Sequence, residues 1–193
     1  NLAEIDENET DRIHTHWGVV FQQNALFSGT VFDNLALWLE EVRNYEDADV
    51  LPIAHRVLKA VALPDDDAFL ATDVDSLSGG MAKRVGIARA ISLNPKYLFC
   101  DEPNSGLDPK TATVIDNLIQ EITHEYGITT VVVTHDMNSV MEIGENIVFL
   151  KHGKLVWQGT KDDIFSTDNS DVTDFVYSSD LFKKIRDIQQ EEQ

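Results

Sequence analysis

The sequence predicts an α/β fold in which a largely parallel sheet is flanked by helices. Two observations lead there. From residue 97 onward, short apolar runs alternate with a helical pattern, strand then helix then strand, as parallel strands joined by crossover helices do. The first of those runs, Tyr97-Leu98-Phe99-Cys100, leads straight into Asp101-Glu102. Carboxylates at the carboxyl end of a buried strand stand where open α/β sheets bind their ligands.

Taken in order, residues 1–16 are polar and predict no element. Trp17-Gly18-Val19-Val20-Phe21 predicts a short strand ending at Gln22-Gln23. Leu35, Leu39 and Val42 set helical spacing over residues 31–43, and Ile53, Val57, Leu58 and Val61 set it over 47–62. Pro64 and Asp65-Asp66-Asp67 break that pattern, after which Ser76 or Ser78 is placed to cap a helix running to about Leu93. Asn94-Pro95 stops it. Residues 24–93 therefore read as an inserted helical subdomain, separate from a strand-bearing core over 94–165.

Within that core, residues 97–100 are too continuously apolar for a half-exposed strand and predict a buried central one. Residues 110–126 place Ile115, Leu118, Ile119, Ile122 and Tyr126 on one helical face, and Gly127 ends the helix. A β-branched strand follows over 128–134, then a helix over 136–142, a strand over 146–150, a turn at His152-Gly153 and a strand over 155–158. Residues 166–193 form a polar tail, reading from Asp171 as a loosely amphipathic helix.

Composition narrows the function. At 42% hydrophobic and 25% charged, the 193 residues have the apolar material for a globular core. Thirty-four acids against fifteen bases give a net charge of -19, which argues against gripping nucleic-acid phosphate or anionic lipid with the general surface. Acid clusters at residues 4–11, 40–49 and 65–67 read as solvated faces and loops, and Lys83-Arg84 as a solvated helix face. The single cysteine, Cys100, rules out an internal disulfide and points to a reducing compartment. No apolar stretch approaches the roughly 18 residues needed to cross a bilayer, so direct membrane insertion is not expected. The chain starts at Asn1, which leads us to expect that residues precede it.

Two segments carry chemistry. Asp101, at the end of a buried strand, is placed to hold Mg²⁺ directly or through water. Glu102 beside it is placed to polarise an attacking water; an acidic turn after a core strand is the plainer alternative. Ser78-Gly79-Gly80 at a helix start offers a hydroxyl, two unobstructed amides and the positive helix end, an arrangement suited to a terminal phosphate. An ordinary serine cap is the alternative there.

In this order and spacing, the segments resemble the ATPases of ABC transporters, over residues 17–165. Leu77-Ser78-Gly79-Gly80-Met81 looks like the family's signature motif, with Arg84 and Ile87-Ala88-Arg89-Ala90 continuing its helix. Residues 97–101 look like Walker B, and Glu102 takes the place of the catalytic glutamate. Ser105-Gly106-Leu107-Asp108 is similar to the D-loop, His135 matches the switch histidine and Gln22 the Q-loop glutamine. The resemblance implies a P-loop NTPase-like sheet and a head-to-tail dimer with two ATP molecules and Mg²⁺ at its interface. Ser78, Gly79 and Gly80 would act in trans on nucleotide held by the second ATPase subunit, and Asp108 would run along the same interface. Gln22 would sense metal and water while linking to a transmembrane permease partner. His135 would contact the γ-phosphate. The protein would then sit on the cytoplasmic face of the membrane through that permease.

Within the family, residues 77–85 and the spacing before them look most like the ATPases of bacterial phospholipid-trafficking systems of the Mla or toluene-tolerance type, with Asn104 where threonine is commoner. Importers of amino acids share most of the pattern. DNA-maintenance ATPases carry the same signature, but they insert long coiled coils between Q-loop and signature, where this chain has a short helical segment. A truncated, non-catalytic interaction module is a further reading, and the retention of Glu102 and His135 argues against it.

The pattern has one large departure. No Gly-x-x-x-x-Gly-Lys-[Ser/Thr] occurs anywhere, so the amides and lysine that cradle nucleotide phosphates are missing, with the strand before them. Gly153-Lys154 reads as a hairpin turn. The 193 residues are therefore expected to be a fragment that binds ATP weakly and does not turn it over. Calorimetry should find affinity weaker than micromolar, and micromolar binding by the isolated chain would overturn the expectation.

Overall fold

The computed structural model describes residues 6–178 and 183. They divide into two compact units, one ending at His135 and the other starting at Asp136.

The first unit is built on a parallel sheet of three strands in the order β1 (Trp17–Val20), β2 (Tyr97–Asp101), β3 (Thr129–Val133). Its helices are α1 (Glu7–His14), α2 (Val31–Arg43), α3 (Asp47–Ala60), α4 (Asp67–Leu70), α5 (Gly79–Ile91) and α6 (Pro109–Tyr126). The expected parallel α/β architecture is present. One apolar core joins Val31, Leu35, Val57 and Leu58 of the helices to Val20, Leu98 and Cys100 of the sheet and to Ile115 and Ile119 of α6.

Local chemistry sets the helix ends. Thr30 and Asp33 form a reciprocal capping box at the start of α2. Ser78, not Ser76, caps α5, accepting from the Met81 amide at 3.3 Å. Asn94, in a left-handed conformation, turns the chain out of that helix into Pro95. Gly127, at φ +61°, ends α6.

Two local differences from the sequence reading have physical causes. Helix α1 exists because Asp6 accepts from the Glu9 amide at 2.8 Å; with only Ile13 as an aliphatic residue it has no apolar stripe to read. Strand β2 is central, but it is not buried on both faces. Leu98 and Cys100 are buried, whereas Tyr97 on the opposite face is 44% exposed, in a row with exposed Val19, Val131 and Val133. Phe99 on that face is half-buried, edge-on to Trp17 at 5.1 Å. The sheet is thus dry on one side. Burial also pushes the Cys100 thiol up to about 12.

The second unit holds α7 (Met137–Ile143), the antiparallel pair β4 (Ile147–Lys151) and β5 (Lys154–Gly159), and α8 (Ser170–Val176). The expected turn at His152-Gly153 has both residues at positive φ, as a two-residue hairpin turn of type I′ requires. Met137, Ile164, Val172 and Val176 form its core. The tail helix expected from Asp171 is described as α8 to Val176; beyond residue 178 it lies outside the described residues, Lys183 apart.

Gly18 fixes how closely β1 meets α5. A Cβ there would stand 2.5 Å from the Ala90 carbonyl oxygen and 3.0 Å from Leu98 Cδ1. Gly18→Ala should cost about 1–3 kcal/mol through backbone displacement, read as a lower midpoint in urea unfolding. An unchanged midpoint would mean that α5 can withdraw freely.

Candidate functional site

The in-register pairing of the strands decides which residues share an edge. Val20 lies opposite Cys100, and Asp101 opposite Val133. The next residues out from these strand ends are Phe21 and Gln22, Glu102, and Thr134 and His135. The Glu102 amide donates to the Val133 carbonyl at 2.8 Å, extending the ladder to the edge itself.

At this edge Glu102 and His135 are in direct contact, Oε1 against Nδ1. Glu102 has φ +46°, a left-handed conformation that non-glycine residues seldom adopt. Its side chain is 16% exposed, while that of His135 is 75% exposed. A sheltered carboxylate thus meets an open imidazole. Asp101 is exposed at the same edge. Gln22 is exposed too, and its Nε2 donates to Ser105 Oγ at 3.4 Å, while its Oε1 is an acceptor. Asp101 and Gln22 so offer oxygen donors suited to Mg²⁺, which ordinarily takes one or two protein ligands and fills its shell with phosphate and water. Among the described residues no cluster of three His, Cys, Asp or Glu side chains forms a self-sufficient metal cage.

Ser78, Gly79 and Gly80 lie elsewhere, at the start of α5. A Cβ on Gly79 would meet Leu107 at an ordinary 3.6 Å, whereas one on Gly80 would stand 2.9 Å from Thr111 Cγ2, so Gly80 lets α5 approach the first turn of α6. Asp108 caps α6, accepting from the Lys110 and Thr111 amides at 3.1 Å each and from the Thr111 hydroxyl at 2.5 Å. Those Thr111 bonds hold its carboxyl below the usual carboxylate range. Asn104 in the same loop is buried and donates to both oxygens of buried Asp116, at 3.3 and 3.2 Å.

The reading of Lys83 as solvated is overturned. It is 4% exposed and its ammonium donates to the Gln22 carbonyl, with Phe21 O at 3.5 Å. Burial pushes its pKa down, against the pull of the Asp101 charge. Arg84 bonds the Ala62 carbonyl at 2.9 Å. Asn34, fully buried and unmarked by any motif, both accepts from and donates to the Phe27 backbone at 2.8 and 2.9 Å. The only signal for it was an amide side chain amid an apolar helical stripe.

A parallel sheet with an acid pair, a histidine and a glutamine along its carboxyl edge defines a ligand-handling α/β protein of the open-sheet class. A family model described as "ABC transporter" matches residues 1–105, and the chain belongs to that family. It is 41% identical over 171 residues to the methionine import ATP-binding protein MetN of Histophilus somni, covering 86% of this chain and 47% of that one. It is 35% identical over 192 residues to MetN 1 of Acinetobacter baylyi, covering 98% and 52%. The chain thus spans about half the length of these curated relatives. Among solved structures, cbiO1 from Clostridium perfringens, part of the ABC transporter complex cbiONQ, superposes with a TM-score of 0.75 at 25% identity, covering 94% of this chain and 71% of that one. The dimeric ATP-binding cassette MJ0796, bound to ADP and Pi, gives 0.68 at 34% identity, covering 81% and 68%.

The Asp108 cap has a signed pH dependence. A carboxylate held below its ordinary value contributes fully above the ordinary carboxylate range, and that contribution is lost as pH falls through the folded value. Protection of the Lys110 and Thr111 amides, read by NMR hydrogen exchange, should therefore fall on acidification, and Asp108→Asn should remove that dependence. Constant protection in the unsubstituted chain would count against the cap.

Proposed function

We propose that this chain is part of the ATP-binding and ATP-hydrolysing subunit of an ABC transporter. The observation that carries the reading is the Glu102–His135 contact beside Asp101 at the carboxyl edge of a parallel sheet. The family match and the ADP-bound cassette among similar structures support it.

Under this reading Glu102 orients and polarises the attacking water, and His135, pairing with Glu102 before nucleotide arrives, turns its exposed ring to the γ-phosphate. Asp101 and Gln22 hold Mg²⁺, which neutralises phosphate charge when bound. Ser78, Gly79 and Gly80 serve the nucleotide of a second subunit, and Asp108 runs along the interface between the two. Residues 24–93 act as the helical subdomain, 94–165 as the core and 166–193 as the tail. Rate enhancement comes from placement and charge rather than covalent chemistry.

A transmembrane permease is the second partner, and it holds the ATPase at the cytoplasmic membrane face. Among the described residues no helix is long and apolar enough to cross a membrane. For the cargo, the names of the relatives favour import of an amino acid such as methionine. The phospholipid reading rests on residues 77–85 and the spacing before them, and has no support from these relatives.

In an ATPase carrying this chain together with a P-loop, Glu102→Gln should lower phosphate release by about 10²–10⁴-fold. ATP-driven dimers should persist in gel filtration. Normal turnover in that variant would remove Glu102 from the role.

A further inference from the structure

Residues 21–27 leave β1 with no helix or strand of their own, yet they carry Gln22 to its place. Their carbonyls are met from one side by two buried cations of α5. Lys83 donates to Phe21 O and Gln22 O. Arg89, 8% exposed, donates to Ala25 O at 2.8 Å and Asn24 O at 3.4 Å, and its guanidinium lies 5.4 Å from the centre of the Phe27 ring. Between them on α5, Gly86 faces the same segment, its Cβ position 3.6 Å from the Asn24 carbonyl oxygen, an ordinary contact distance.

Two desolvated cations are an expensive way to hold a loop. Charge-assisted bonds to carbonyls are stronger than neutral ones, and the pair spans four of the five peptide carbonyls from Phe21 to Ala25. Ala25 is kept at φ +46° within this span. Nothing in the apolar core needs a lysine at this position. The cation acts on the backbone of the residue whose side chain reaches Ser105.

We propose that Lys83 and Arg89 are positioning residues that clamp the 21–25 backbone to the signature helix and thereby set where the Gln22 side chain stands. The proposal rests on the assignment of Gln22 to the nucleotide site. It makes α5 a rigid link: its first turn carries Ser78–Gly80, and its flank holds the loop of Gln22. Displacement at one is passed to the other through bonded backbone, not through a flexible tether.

The test has a structural arm and a kinetic arm. In the unsubstituted chain, ¹⁵N-lysine labelling should show one slowly exchanging ammonium signal that disappears in Lys83→Arg; its absence would overturn the clamp without any question of misfolding. Lys83→Met should lower hydrogen-exchange protection of residues 22–27 by about tenfold or more while Ile87 and Ile91 stay protected, and Lys83→Arg should restore it. Arg89→Lys should loosen residues 24–27 selectively. Unchanged loop protection in Lys83→Met and Arg89→Lys would overturn the proposal. In the ATPase with its P-loop, Lys83→Met should reduce kcat by about 10²-fold with KM little changed, and Lys83→Arg should recover most of it. A loosened loop with full kcat would keep the clamp and instead dismiss the role given to Gln22.

Discussion

Register between three parallel strands is the constraint on which the candidate site depends. Because Val20, Cys100 and Val132 stand level across the sheet, the chain leaves all three strands along one line. A shift by one residue would turn each side chain to the other face. Glu102 could then no longer donate its amide to Val133 while meeting His135 with its carboxylate. The register itself is secured by burying Leu98 and Cys100 against the helices and by the closeness that Gly18 permits between β1 and α5. A packing choice in the core thus reaches the edge as chemistry.

Much of this was legible because it follows from period and position. The helical face of Ile115, Leu118, Ile119 and Ile122, the Ser78 cap, the Gly127 stop and the His152-Gly153 turn are local matters, and each stands where its residues indicate. Gln22, Asp101, Glu102 and His135 were readable as strand-terminal residues, and the structure gathers them at one edge. What stayed hidden depends on chain far away. Lysine is almost never fully buried unless paired, so Lys83 read as solvated; its burial is decided by residues 21 and 22, some sixty positions earlier. The left-handed backbone of Glu102 left no mark in residue type, since only glycine advertises such a conformation. The half-exposed sheet was missed because an apolar run reads the same whether one face or two are covered.

Polar residues in this protein divide by whom they serve. At the strand ends Gln22, Asp101 and His135 are exposed, with Glu102 sheltered against His135. Those behind them are spent on backbone: Asn34 on Phe27, Lys83 on Phe21 and Gln22, Arg89 on Asn24 and Ala25, Asp108 on α6. Segments without regular structure must have their peptide groups satisfied by something, and here side chains from neighbouring helices do it. Irregular loops at the site are thereby as firmly specified as the strands they extend.

Cys100 gives this arrangement a practical side. The thiol is enclosed beneath β2 and held protonated to far above neutral pH, and it is the thiolate that reacts with alkylating reagents. The chain is therefore supplied with a silent cysteine. A second one introduced on the exposed loop at Gln23 would be the sole reactive thiol of the folded state, and Cys100 would take up reagent only when the core opened. One sequence position can thus report unfolding while another reports loop position, without first removing a residue on which the core depends.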